Sequence, residues 1–179
     1  QYPVIYVSLK DIKGATWDEA LAAIKDRLSR LFDGYACLVE SLLPVRQREF
    51  EAIRDKTADI NILRLSLKNL IIDLHERHKR PVVVLIDEYD SPVIEAWQHG
   101  YYPEMIDFMR AWLGGGLKPE NGAALFRGVV TGILRVARES IFSGLNNLDV
   151  WTVITPGGFA DKFGFTQPEV DQVLTDFSV

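Results

Sequence analysis

Val82-Val83-Val84-Leu85-Ile86-Asp87-Glu88-Tyr89-Asp90, entered from Pro81, decides the fold. Five consecutive apolar residues, three of them valine, run without the alternation of a strand wetted on one side. The stretch predicts a strand in the middle of a parallel sheet, with helices over both faces. In open parallel sheets the ligand crevice lies beyond the carboxyl ends of the strands, so this order sends adjacent carboxylates to the place where chemistry is expected.

Val4 to Leu9 is a second short, β-branched stretch suited to a buried strand. Leu125 to Thr131 is a third, less uniform because of Arg127 and Gly128, and Val150 to Ile154 suggests one more. Helical patterns lie between them. Thr16 and Glu19 have capping-box spacing, after which Trp17, Leu21, Ile24, Leu28 and Leu31 recur at helical intervals until Gly34. Leu42 to Thr57 predicts a peripheral helix after Pro44. Asn61 to His78 predicts a longer one, with Leu63, Leu67, Leu70, Ile71 and Leu74 inward and Lys68, Asp73 and Glu76 towards water. Asp90 or Ser91 can cap a helix opened by Pro92, and Met105 to Leu113 forms another that Gly114-Gly115-Gly116 ends in a flexible loop. Thr166 to Glu169 repeats the capping-box spacing before a final helix. Strands alternating with helices imply crossover units and a parallel α/β sheet. With no internal repeat, low-complexity segment or Pro/Gly/Ser-rich linker, residues 1–179 are expected to form one domain.

Composition narrows the function classes. The 179 residues are 47% hydrophobic and 25% charged, enough for a proper core, and the net charge of -5 gives no electrostatic footprint for nucleic acid. The single cysteine, Cys37, excludes an intrachain disulfide and favours a reducing, cytoplasmic setting. No apolar run approaches the roughly 18 to 20 residues of a membrane helix, and no signal-peptide pattern opens the chain. A strand entered almost directly from Gln1 suggests an excerpt of a longer protein.

An apolar strand followed by Asp-Glu is the Walker B pattern. An Asp at the strand end can hold Mg²⁺, usually through water, and the next carboxylate can orient the water that attacks a γ-phosphate. Asp87 takes the first role in this reading, as metal ligand, and Glu88 the second. The plainer alternative is that strand-end carboxylates solvate the strand or cap the next helix; for Asp90, ahead of Ser91-Pro92, capping is preferred.

Leu85-Ile86-Asp87-Glu88-Tyr89-Asp90-Ser91-Pro92, Thr131-Gly132-Ile133-Leu134-Arg135-Val136, the Ser140 to Leu148 block and Phe163-Gly164-Phe165-Thr166 together resemble the AAA-ATPase-like family. The resemblance runs from about Tyr2 to Val173. It implies a three-layer P-loop NTPase-like sheet flanked by helices, ATP and Mg²⁺ as cofactors, and hydrolysis coupled to an attached effector domain. In that family the effector is commonly nuclease-like, so nucleic acid would enter only through that domain. The family's Walker B pair falls on Asp87 and Glu88, and its sensor position on Thr131. Arg135 could reach a phosphate, although a salt bridge explains a single Arg as well, and Asn146 and Asn147 suit a turn as readily as a nucleotide contact.

The chain departs from the family where phosphate should bind. It has no G-x-x-x-x-G-K-[ST] segment, and Gly114-Gly115-Gly116-Leu117-Lys118 has the wrong spacing and follows a helix. The family's P-loop and its strand would precede Gln1, so the first, central strand is expected to be missing and this chain alone to be inactive. A non-hydrolysing nucleotide-sensing or interaction scaffold is the alternative, and a carboxylate hydrolase using Asp87 with Glu88 or Asp90 a third. His75-Glu76-Arg77-His78 misses the zinc-protease spacing, since Lys79 stands where the second His is required. Trp17, Trp97, Trp112 and Trp151 suit core or partner contacts better than base stacking.

Overall fold

The computed structural model describes residues 2–118, 122–133, 148–152 and 164–177. The chain divides into two compact units, residues 1–146 and 147–179. The first contains β1 (Val4–Ser8), α1 (Trp17–Asp33), a 3-10 turn (Ala36–Ser41), α2 (Pro44–Arg54), α3 (Ile60–His78), β2 (Val82–Asp87), α4 (Ser91–His99), α5 (Tyr102–Leu117) and β3 (Leu125–Val130). The three strands are parallel in the order β1-β2-β3, with Val4 opposite Val83 and Val84 opposite Gly128. Parallel neighbours require helical crossovers, which α1 to α3 and α4 to α5 supply. The fold is α/β with a three-stranded parallel sheet flanked by helices, consistent with a P-loop-like architecture.

Val82, Val84 and Ile86 of β2 share one buried face with Ile5 and Val7 of β1. On that face Leu117 of α5 lies against Gly128, where an added Cβ would meet the Leu117 Cδ2 at 2.8 Å. On the opposite row, among the described residues, Val4, Tyr6 and Val129 are 45%, 58% and 45% exposed. Among the described residues β2 alternates between buried and half-buried positions, so its two faces are covered unequally.

The main helical contact joins α3 to α5, packing Leu63, Leu67, Leu70, Ile71 and Leu74 with Met105, Phe108, Met109, Trp112 and Leu113. Trp112 resolves to the core, its indole Nε1 donating to Ser66 Oγ at 2.9 Å, whereas Trp97 and Trp151 are exposed. The predicted helix stop at Gly114-Gly115-Gly116 is corrected: α5 continues to Leu117. A Cβ at Gly116 would stand 2.6 Å from Cγ and Cδ2 of Leu67, so glycine here permits close helix contact rather than a turn.

Asp73 is corrected too. It is buried, and its Oδ2 accepts from Arg46 Nη2 at 2.7 Å. Burial pushes its carboxyl above the ordinary value while Arg46 pulls it down. The pairing crosses from α2, whose Phe50 is fully buried with its ring 4.7 Å from that of Phe32, so α2 is anchored more firmly than a peripheral helix. At the helix starts, Thr16 Oγ1 accepts from Glu19 N at 3.3 Å, and Glu19 Oε2 reaches the Ala15 N–H at 2.8 Å. Asp59 caps α3 by accepting from the N–H groups of Asn61 and Ile62.

In the second unit, α6 (Gln167–Asp176) carries the predicted capping box, with Thr166 N donating to Glu169 Oε2 at 2.7 Å. Val150 to Thr152 form no regular strand where one was expected; residues 153 and 154 lie outside the described residues. Among the described residues no helix is long and apolar enough to cross a membrane.

Candidate functional site

The site is built where β2 and β3 end side by side. Parallel pairing runs beyond the strands proper: Thr131 N donates to Ile86 O at 2.9 Å, and Tyr89 N donates to Thr131 O at 3.0 Å. On the other side, Leu9 N donates to Asp87 O at 2.9 Å. These backbone bonds bring Asp87, the last residue of β2, beside Thr131, the first residue after β3. The Thr131 hydroxyl donates to Asp87 Oδ1 at 2.5 Å, a charge-assisted bond that orients the carboxylate; among the described residues no hydrogen bond or ion pair meets Oδ2.

Glu88 adopts φ +53, in the left-handed region that residues bearing a Cβ avoid at a cost of roughly 1 to 2 kcal/mol. Strain of this kind concentrates at functional sites. Its Oε2 accepts from Ser91 Oγ at 3.3 Å, and its Oε1 lies 3.9 Å from Lys10 Nζ. Lys10 is largely exposed, so the ion pair is a weak tether. Ser91 was read in the sequence only as a possible helix cap, and Lys10 was not singled out: it arrives only because β1 ends next to β2.

Asp90 corrects the capping expectation. It occupies the position before α4, but its backbone is helical (φ -81, ψ -22) and its side chain makes no capping bond. Instead the carboxylate is 2% exposed, and its Oδ2 accepts from Ile133 N at 2.9 Å. The signal in sequence, Asp90-Ser91-Pro92, was indistinguishable from a helix start. Arg135, Asn146 and Asn147 lie outside the described residues, as does the Ser140 to Leu148 block except Leu148.

The crevice expected at the strand ends is not enclosed by the described residues. Two clefts of about 290 and 350 Å³ lie elsewhere, one beside Asp73 and Arg77, the other between Tyr6, Arg27 and Tyr35. Among the described residues no group of three or more His, Cys, Asp or Glu side chains could hold a metal ion. Among the described residues, a carboxylate with one oriented oxygen and no further carboxylate cage suits Mg²⁺, which keeps several waters and is shared with substrate phosphates, better than a cation that needs an all-protein cage.

A relative from Azotobacter chroococcum mcd 1, described as "Uncharacterized protein in vnfD 5'region", is 30% identical over 107 residues. The match covers 59% of this chain and 20% of that protein, so the chain spans about a fifth of the relative's length. No solved structure matches. The family model AAA-ATPase_like, described as "Predicted AAA-ATPase", matches residues 1–142. That span holds all three strands and the Asp87, Glu88 and Thr131 site, and the chain belongs to the predicted AAA-ATPase family.

Proposed function

We propose that the chain is the Walker B and sensor portion of a Mg²⁺-dependent ATP-hydrolysing module, which couples turnover to an attached effector domain. The observation that carries this reading is the hydrogen bond from Thr131 to Asp87 across the C-terminal ends of two adjacent parallel strands. It holds a carboxylate where a nucleotide-shared Mg²⁺ or its water would be bound, with the Glu88 carboxylate next in the chain. When bound, Mg²⁺ would neutralise charge on the β- and γ-phosphates. The protein's share is to orient Asp87 through Thr131 and to present Glu88 as the group that positions the attacking water. The 179 residues themselves carry no G-x-x-x-x-G-K-[ST] segment to cradle phosphate. On this reading the 179 residues alone bind ATP weakly.

Glu88→Gln in the complete protein is the test. The amide keeps the shape but cannot act as the charged, water-orienting group, so phosphate release should fall by about 10²-fold or more while ATP binding stays close to wild type. An unchanged release rate would remove Glu88 from the chemistry and favour a scaffold that does not hydrolyse ATP.

A further inference from the structure

We propose that Asp90 is a positioning residue: its buried carboxylate clamps the Thr131-Gly132-Ile133 turn so that the Thr131 hydroxyl meets Asp87. This rests on the ATPase reading above and assigns a device within that site. Three observations converge. Asp90 Oδ2 accepts the Ile133 N–H at 2.9 Å, and the carboxylate is 2% exposed. Gly132 lies flush against it, since a Cβ there would come within 2.7 Å of both Asp90 Oδ1 and Tyr89 Cε1. Ile133 is 90% exposed, so its side chain offers no packing to fix the turn.

Residues 89 and 90 therefore grip residues 131 to 133 at two points, the Tyr89 N–H on Thr131 O and the Asp90 carboxylate on Ile133 N. Burying a carboxylate is costly unless hydrogen bonds compensate it, and a cap for α4 could have stayed in water. The geometry instead couples the turn after β2 to the turn after β3. Asp90 acts through Thr131, and its loss should disturb the geometry of Asp87 without removing a group that contacts nucleotide.

The test is steady-state phosphate release by the complete protein with Mg-ATP. Asp90→Ala should lower kcat about 10-fold or more with KM for ATP within about twofold, because small misplacements of a reacting constellation have effects of that size. Asp90→Asn keeps an acceptor oxygen for the Ile133 N–H and should return to within about threefold of wild type. In a Thr131→Ala background the Asp90→Ala loss should shrink to about twofold or less, as expected when one residue acts through the other. If Asp90→Ala does not fold, Gly132→Ala, which keeps the carboxylate but pushes the turn off it, should show the same kcat loss and the same dependence on Thr131. A full kcat in Asp90→Ala or its substitute, an equal loss with and without Thr131, or an Asp90→Asn variant as impaired as alanine each overturns the proposal. Failure of the ATPase reading shows separately, as phosphate release insensitive to Glu88→Gln.

Discussion

Alanine should be tolerated better at Gly115 than at Gly116, although the two are adjacent positions in one helix. Both lie in the last turn of α5, and replacing a helical glycine there by alanine gains up to about 0.5 to 1 kcal/mol from the reduced backbone entropy of the unfolded chain. At Gly115 nothing beyond the helix's own backbone lies within 4 Å of the new methyl among the described residues, so a gain is expected. At Gly116 the methyl would lie 2.6 Å from Cγ and Cδ2 and 3.3 Å from Cβ of Leu67. Leu67 is fully buried in the α3–α5 core and has no room to swing aside, so overpacking of about 1 to 3 kcal/mol opposes the gain. The net for Gly116→Ala runs from near zero to a loss of about 2 kcal/mol, which separates the two variants by about 1 to 3 kcal/mol. With a urea slope of roughly 1 to 3 kcal/mol/M, the unfolding midpoints should differ by about 1 M. Equal midpoints, or a more stable Gly116→Ala, would refute the close contact between α3 and α5.

Ser66→Ala should destabilise the fold by about 1 to 3 kcal/mol, because it strands the buried Trp112 indole N–H; denaturant unfolding followed by tryptophan fluorescence reads it, and a change under about 0.5 kcal/mol would contradict the bond. Asp73 gives a pH dependence. Its folded-state pKa lies above the ordinary 3.8, chiefly through burial, so the native state binds this proton more tightly than the unfolded chain does. Its penalty on stability is present above the raised pKa and is relieved as pH falls through that value towards 3.8. Asp73→Asn should lack this relief, visible as a difference in slope between the two stability–pH curves; parallel curves would count against a raised pKa.

Local chemistry made much of the first unit readable. The valine run at Val82 marked a strand, and Thr16 with Glu19 marked the start of α1 by spacing alone. Asp87 and Thr131 were legible as separate strand-end residues, and parallel pairing joined them. What escaped depended on neighbours distant in sequence. Asp73 looked solvated because Arg46, which buries it, stands on another helix. Gly114 to Gly116 looked like a stop because composition cannot reveal that Leu67 occupies the space a side chain would need. Asp90 resembled a cap because its partner is a backbone N–H on a different turn.

The left-handed backbone at Glu88 sets folding against the chemistry proposed for that residue. Glycine would relax that dihedral and asparagine would tolerate it, with a gain on the order of 1 kcal/mol. A variant library sorted only for heat tolerance should therefore enrich those two residues at position 88 and shed the carboxylate, while a library sorted for turnover should resist the exchange.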